Sequence, residues 1–171
     1  GPLAALLRND FWGTPMASPS SHRSFRPVTV LSYRWTYLSG AFHAPRPYHL
    51  TNVALHGACV ALFAPACRVL CGGRALPALL ASLVFAAHPV HVESVASLVG
   101  RAETLAAAFA LAAFHCYHGA MRARAAWQPA LVLYAVACVA LATLSCRRSV
   151  TLRGALRALT FTSTSVSMTK R

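Results

Sequence analysis

The chain has 171 residues, 57% of them hydrophobic and only 11% charged, with a mean hydropathy of +0.52 and a formal charge of +13. That balance excludes an ordinary soluble surface and favours a lipid solvent. It also argues against a nucleic-acid binder, because the basic residues are scattered between apolar runs and no zinc-finger or RNP-like motif accompanies them.

Residues 1–48 are polar and punctuated by Pro15, Pro19, Pro27, Pro45 and Pro47, with Phe11, Trp12, Phe25, Tyr33, Trp35 and Tyr37 among arginines. Aromatic rings interleaved with cations suit a membrane interface, so this stretch is expected to be a large interfacial loop. Within it Val28, Leu31, Trp35 and Leu38 follow helical spacing and predict a short packed or interfacial helix. The first residues show no basic n-region and too brief an apolar stretch for a signal peptide, and the chain reads as a piece that begins inside a longer protein.

Four apolar runs follow, at Leu50–Cys71, Ala75–Val90, Thr104–Met121 and Pro129–Cys146. Each approaches the roughly 20 residues that a helical span needs, so residues 49–146 are expected to form a four-span helical region. The second run meets His88-Pro89, where the proline disfavours helix for the residue before it. Arg68 and Arg74 flank the first turn and Arg122 and Arg124 lie in the third, which puts those turns on the cytoplasmic side. Residues 1–48 and the connection at 88–103 then share the opposite, lumenal side. Arg8, Arg23, Arg26, Arg34 and Arg46 are placed there against the usual charge bias, which calls for anionic ligands such as a lipid phosphate. Residues 147–171 carry six basic residues, nine serines and threonines and no acid, and are expected to be a disordered tail or a basic amphipathic helix built on Leu152, Leu156 and Leu159.

The only three carboxylates are Asp10, Glu93 and Glu103, two of them in the polar island His88–Glu103. Acids and histidines beside hydrocarbon-length segments are costly unless they line something polar. One reading makes His88, His91 and Glu93 hydrogen-bonding and acid/base groups at the mouth of a membrane cavity. Another makes them a polar cap, with Glu93 paired to Arg101. A metal is disfavoured because Pro89 interrupts the helix that would align His88 with His91. Asp10, beside Phe11 and Trp12, is a candidate base for an acceptor hydroxyl, with Arg23 or Arg26 holding a leaving phosphate. The six cysteines lie in or at the ends of apolar runs with no CxxC pair and suit apolar packing.

Asn-Asp-Phe-Trp-Gly-Thr at 9–14, Ser-His-Arg-Ser-Phe-Arg-Pro at 21–27, Tyr-His-Leu-Thr-Asn-Val-Ala-Leu-His at 48–56, His-Pro-Val-His-Val-Glu at 88–93 and Val-Gly-Arg-Ala-Glu at 99–103 occur in this order. In these motifs the chain resembles the transmembrane and tetratricopeptide-repeat-containing (TMTC) protein O-mannosyltransferases. The resemblance implies an all-α integral membrane protein, part of a GT-C-like multi-span bundle in the endoplasmic reticulum membrane. It implies transfer of mannose from dolichyl-phosphate mannose, a donor substrate and not a cofactor, to serine or threonine of cadherin-like acceptors. Asp10 and Glu93 would assist deprotonation of the hydroxyl, Arg26 and Arg101 would stabilise the departing phosphate, and His88 and His91 would position it. The family's upstream acidic motif, its continuation after Ser145 and its tetratricopeptide repeats are absent from this sequence. An alternative expectation is therefore a truncated, non-catalytic membrane protein that binds the donor lipid or partners.

Overall fold

The computed structural model describes residues 7–41 and 44–146. The expectations for the tail at 147–171 lie outside the described residues. The described chain forms two compact units, one within residues 7–27 and the other Val28–Cys146.

The first unit is an irregular loop organised around one side chain. Each oxygen of Asp10 accepts two hydrogen bonds. Oδ1 receives the backbone N–H groups of Trp12 (3.0 Å) and Thr14 (2.9 Å), and Oδ2 receives Ser21 Oγ (2.8 Å) and the N–H of His22 (3.1 Å). These bonds gather residues 10–14 and 21–22 around a carboxylate that is only 4% exposed. Backbone bonds from Phe11 N–H to the Ser24 carbonyl (2.7 Å) and from Met16 N–H to the Arg8 carbonyl (2.9 Å) complete the fold of the loop.

The second unit is all helical among the described residues. Its elements are α1 (Pro27–Thr36), α2 (Pro45–Leu70), α3 (Ala75–Ala87), α4 (His91–Ala96), α5 (Arg101–Ala120) and α6 (Gln128–Cys146). The helix foreseen from Val28 forms as α1, and the chain winds on through Tyr37–Ala41 before turning at Gly40, whose φ is 90°. Proline starts α2, where its missing N–H costs nothing. The helix ends at Gly72 and Gly73, both at positive φ, with the Gly73 N–H on the Arg68 carbonyl at 2.8 Å. Pro65 lies inside α2 and deprives the Ala61 carbonyl of its helical donor. One residue on, the Leu62 carbonyl is met by His115 Nε2 of α5 at 2.8 Å, which joins α2 to α5 close to the proline.

The four expected spans are not equivalent. α2 and α6 have both the length and the apolarity to cross a bilayer. α3 stops at Ala87 after 13 residues because Pro89 forces His88 into extended backbone (φ −67°, ψ 129°). At 1.5 Å per residue it reaches about 20 Å, short of the roughly 30 Å hydrocarbon core. α5 has 20 residues, but Arg101, Glu103, His115 and His118 lower its hydropathy. The structure therefore supports two spanning helices by length and composition, where the sequence pattern suggested four.

Burial in the second unit runs opposite to that of a water-soluble domain. Thr29, Thr36, Asn52, Ser82, Arg101, Thr104 and Ser145 are buried, while Leu31, Leu38, Leu79, Leu83, Val136 and Val139 are exposed and Trp35 is 78% exposed. The apolar stripe of α1 faces outward and its threonines face inward, with Thr29 Oγ1 donating to the Ser145 carbonyl at 2.8 Å. Exposed large hydrocarbon side chains around a polar, small-residue interior are what a lipid solvent rewards, since water offers no such side chains a partner. Together with the two apolar helices, this supports membrane association. The interior is built from small residues, including Ala102, Ala113 and Ala120 of α5 and Ala135 of α6, and α5 packs closely along α6.

Candidate functional site

The motifs at 48–56 and 99–103 meet at a buried polar knot. Arg101, at the start of α5, is fully buried with 0% of its surface exposed. Its Nε donates to Asn52 Oδ1 at 2.7 Å, Nη1 to Thr36 Oγ1 at 3.1 Å and Nη2 to the Tyr48 carbonyl at 2.8 Å. The guanidinium carbon lies over the rings of Tyr33 and Tyr48, 4.5 and 5.8 Å from their centroids. Three neutral acceptors and two aromatic faces thus solvate a cation that no carboxylate neutralises among the described residues. Asn52 serves both sides, because its Nδ2 donates to the Val95 and Ser97 carbonyls at 3.2 and 3.1 Å. Tyr33 Oη donates to the Leu98 carbonyl. One arginine and one asparagine therefore tie α1, α2 and the end of α4 to the start of α5.

Gly100 permits this closeness. A Cβ there would lie 2.5 Å from Ser94 Cα and 2.7 Å from the Ser94 carbonyl oxygen, with backbone atoms that cannot swing away. With hydrogen in that place, α4 lies against the first turn of α5, and Ser94 Oγ donates to Glu103 Oε2 at 3.1 Å.

Beside the knot opens a cavity of about 280 Å³ lined by His56, Cys59, Phe85, His91, Ser94, Glu103 and Thr104, among others. Its polar groups come from three of the sequence motifs. His56 Nε2 is 3.2 Å from the Ala86 carbonyl, which fixes the ring against α3. The His56 and His91 rings are 5.1 Å apart, and Phe85 lies 4.5 Å from His91 and 4.3 Å from Phe63. Burial, reinforced by the nearby His56 and His88, lowers the His91 pKa below its ordinary value. A neutral imidazole at near-neutral pH keeps a lone pair that can take a proton. The cavity thus combines a proton acceptor, a carboxylate, two hydroxyls and an aromatic wall.

The site residues expected from sequence are distributed as follows. His91 lines the cavity. His88 is exposed, its Nδ1 accepting the Val90 N–H at 3.1 Å, with its ring 6.4 Å from that of His91. Glu93 is exposed on α4, does not line the cavity and makes no pair with Arg101. Arg101 directs its donors to the protein interior. Asp10 and Arg26 belong to the loop unit. There the Asp10 carboxyl is raised by burial, but the bonds from Ser21, Thr14, Trp12 and His22 outweigh that and hold it below its ordinary value. Residues 28–48, grouped with the loop in the sequence reading, supply Tyr33, Thr36 and Tyr48 to the helical unit.

His56 and Glu103 were not singled out as site residues, yet both line the cavity. A signal for His56 exists in the sequence: Asn52, His56 and Cys59 recur at i, i+4 and i+7, a polar stripe on an otherwise apolar helix. For Glu103 no such periodic signal exists, because its place depends on how closely α4 and α5 approach at Gly100.

No family model and no solved structure matches the chain. Curated proteins do. "Protein O-mannosyl-transferase TMTC3" of Mus musculus is 41% identical over 155 residues, which cover 90% of this chain and 16% of that protein. "Protein O-mannosyl-transferase Tmtc1" of Drosophila melanogaster is 47% identical over 116 residues, 68% of this chain and 13% of its own length. "Protein O-mannosyl-transferase TMTC4" of Homo sapiens is 45% identical over 134 residues, 71% of this chain and 18% of its own length. The chain thus spans a small part of the relatives it matches, but most of its own residues take part in the match. On that similarity, the chain belongs to the TMTC family.

Proposed function

We propose that this chain is the part of a membrane protein O-mannosyltransferase that assembles a reaction cavity next to a lipid-linked donor. The relatives carry the transferase name. The observation that carries the reading is the convergence of His56, His91 and Glu103, from three separate motifs, on one cavity. The donor is dolichyl-phosphate mannose, the acceptor a serine or threonine hydroxyl of a cadherin-like protein, and the setting a GT-C-like bundle of several spans in the endoplasmic reticulum membrane.

In the transfer, the acceptor oxygen forms a bond to the anomeric carbon of mannose. The bond from that carbon to the phosphate oxygen breaks, its electron pair leaves with dolichyl phosphate, and the hydroxyl proton passes to a base. His91 is the group in the cavity best suited to take that proton, since its neutral form is favoured. Glu103, held by Ser94, orients the acceptor. Glu93, two residues from His91 and exposed, is a second candidate for the base. Asp10, whose four acceptor positions are filled, organises the loop. Arg101 acts on the site through the fold, setting the start of α5 and hence Glu103 and Thr104. His88 contributes by holding His91 neutral.

The test is mannosyl transfer by a full-length chimaera in which this chain replaces the matching segment of mouse TMTC3. His91→Ala and Glu103→Gln should each lower kcat by about 10²-fold or more, with Glu93→Gln having the smaller effect. Full transfer by the His91→Ala, Glu103→Gln double variant would remove the cavity from the reaction.

A further inference from the structure

A second cavity, of about 440 Å³, lies between α1, the turn that follows it, the start of α2 and α5. It is separate from the reaction cavity, because α2 and α5 present neighbouring residues to each: Leu55 and Leu105 line this one, His56 and Thr104 the other. Trp35, Leu55 and Leu105 form its apolar walls, and the hydroxyls of Ser32, Thr36, Ser39 and Thr51 are its polar groups. Each of these hydroxyls gives its proton to a backbone carbonyl: Ser32 to Thr29 at 2.7 Å, Thr36 to Ser32 at 3.0 Å, Ser39 to Trp35 at 2.9 Å and Thr51 to Pro47 at 2.7 Å. A hydroxyl has one proton and two lone pairs, so these side chains face a ligand as acceptors. Thr36 is buried and already accepts Arg101 Nη1 at 3.1 Å. Ser39 is exposed, and Ser32 and Thr51 are partly so.

Side chains that offer acceptors and no donor select a ligand head that donates. Among the described lining residues none is charged, so a phosphate or carboxylate finds no counter-charge there. An ammonium would meet no acid and would lie beside the buried Arg101, which bonds to Thr36. A polypeptide strand brings a carbonyl with each N–H, and those carbonyls would be left unpaired against Leu55, Leu105 and Trp35, which is costly. A single neutral hydroxyl on a hydrocarbon body suits both the acceptors and the walls. We propose that this cavity binds a membrane lipid alcohol, with its hydroxyl donating to Ser39 or Thr51 and its hydrocarbon lying on Trp35, Leu55 and Leu105. The setting agrees with that chemistry. Thr51 lies within the first two turns of α2, a helix long and apolar enough to cross a bilayer, so it sits near the level where lipid head groups begin. The volume falls within the roughly 300–1,000 Å³ of small-molecule pockets. The inference goes beyond the transfer reading and is independent of it, so binding can hold whether or not the chain turns over.

The experiment is quenching of Trp35 fluorescence by a brominated octadecanol, in the full chain in detergent micelles with the exposed Trp12 and Trp127 replaced by phenylalanine. Quenching should saturate at fixed detergent, and octadecanol should compete for it. Octadecyl methyl ether lacks the donated proton and should compete about 5- to 10-fold less well, the range of one or two neutral hydrogen bonds. The Ser39→Ala, Thr51→Val double variant should weaken the alcohol by a similar factor and abolish its advantage over the ether. Leu55→Phe, which narrows the cavity, should weaken both several-fold. Thr143→Val, the loss of an exposed hydroxyl on α6 that also donates to its own helix, should leave affinity within about twofold. Competition by cholesterol as well identifies a sterol as an occupant, whereas competition by octadecanol without cholesterol identifies a linear alcohol, and either supports the site. Quenching that does not saturate, equal competition by the ether or by stearate, no effect of the double variant, or an equal loss with Thr143→Val overturns it. If the double variant loses its helical circular dichroism, the alcohol-to-ether comparison on the parent and Leu55→Phe decide in its place.

Discussion

Asn52→Ala is the perturbation that tests the polar knot most directly. The substitution removes the acceptor of Arg101 Nε at 2.7 Å and the donor to the Val95 and Ser97 carbonyls at 3.2 and 3.1 Å. A hydrogen bond to a charged group contributes about 1.5–3 kcal/mol and a neutral one about 1 kcal/mol, and a buried donor left without a partner is penalised further. The sum comes to about 3–5 kcal/mol, comparable to breaking a buried charged pair. For a chain of this size that corresponds to a fall in melting temperature of about 6–20 °C. The assay is thermal unfolding in detergent with a thiol-reactive dye, which works here because Cys59 and Cys67 are buried in the fold. Arg101→Met alone should cost a similar amount. The Asn52→Ala, Arg101→Met double variant should lose less than the two single changes together, with a coupling of about 1 kcal/mol or more, because the stranded cation is gone. Strictly additive losses, or an Asn52→Ala melting point within about 2 °C of the parent, would refute the claim that the knot holds α4 to α5.

Gly100→Ala should destabilise the same junction by about 1–3 kcal/mol, since the new methyl would meet Ser94 Cα at 2.5 Å. Gly57→Ala, with nothing within 4 Å, should be neutral or slightly stabilising, which the same melting assay can read side by side. The pKa of His91 is depressed in the fold relative to its ordinary 6.5. The unfolded chain therefore binds a proton first as pH falls below that value, and stability should decline through this window until the folded form is protonated too. His91→Gln should flatten the decline while leaving the melting point at pH 8 nearly unchanged. Asp10 behaves in the same sense at lower pH: its carboxyl is held below 3.8 by four loop bonds, so its contribution is present above that value and is lost as pH drops through the folded pKa. Asp10→Asn should loosen the loop at neutral pH, seen as faster proteolysis within residues 10–22, because an amide nitrogen cannot accept the bonds that a carboxylate oxygen does.

The helical class and the approximate places of the helices were legible from composition and spacing alone. Apolar runs long enough for helices, Pro89 before α4, the glycine pair after α2 and the polar stripe Asn52, His56 and Cys59 are local properties, and local sequence determines them. Membership of the family was legible too, because five short motifs in fixed order are a linear signal.

What the sequence could not state is which polar residue meets which. Arg101, Arg26 and Asp10 are chemically ready for ions, and residue type alone suggested phosphate or base roles for all of them. Tertiary contacts separated them: Arg101 is sated by Asn52, Thr36 and Tyr48, Asp10 is filled by its own loop, and Arg26 rests on Phe11 with its buried Nε unbonded. The same holds for Glu103, which reaches the cavity only because Gly100 lets two helices touch. Hydrogen bonds form between groups brought together from distant parts of the chain, and that proximity is a property of packing that no one-dimensional pattern encodes.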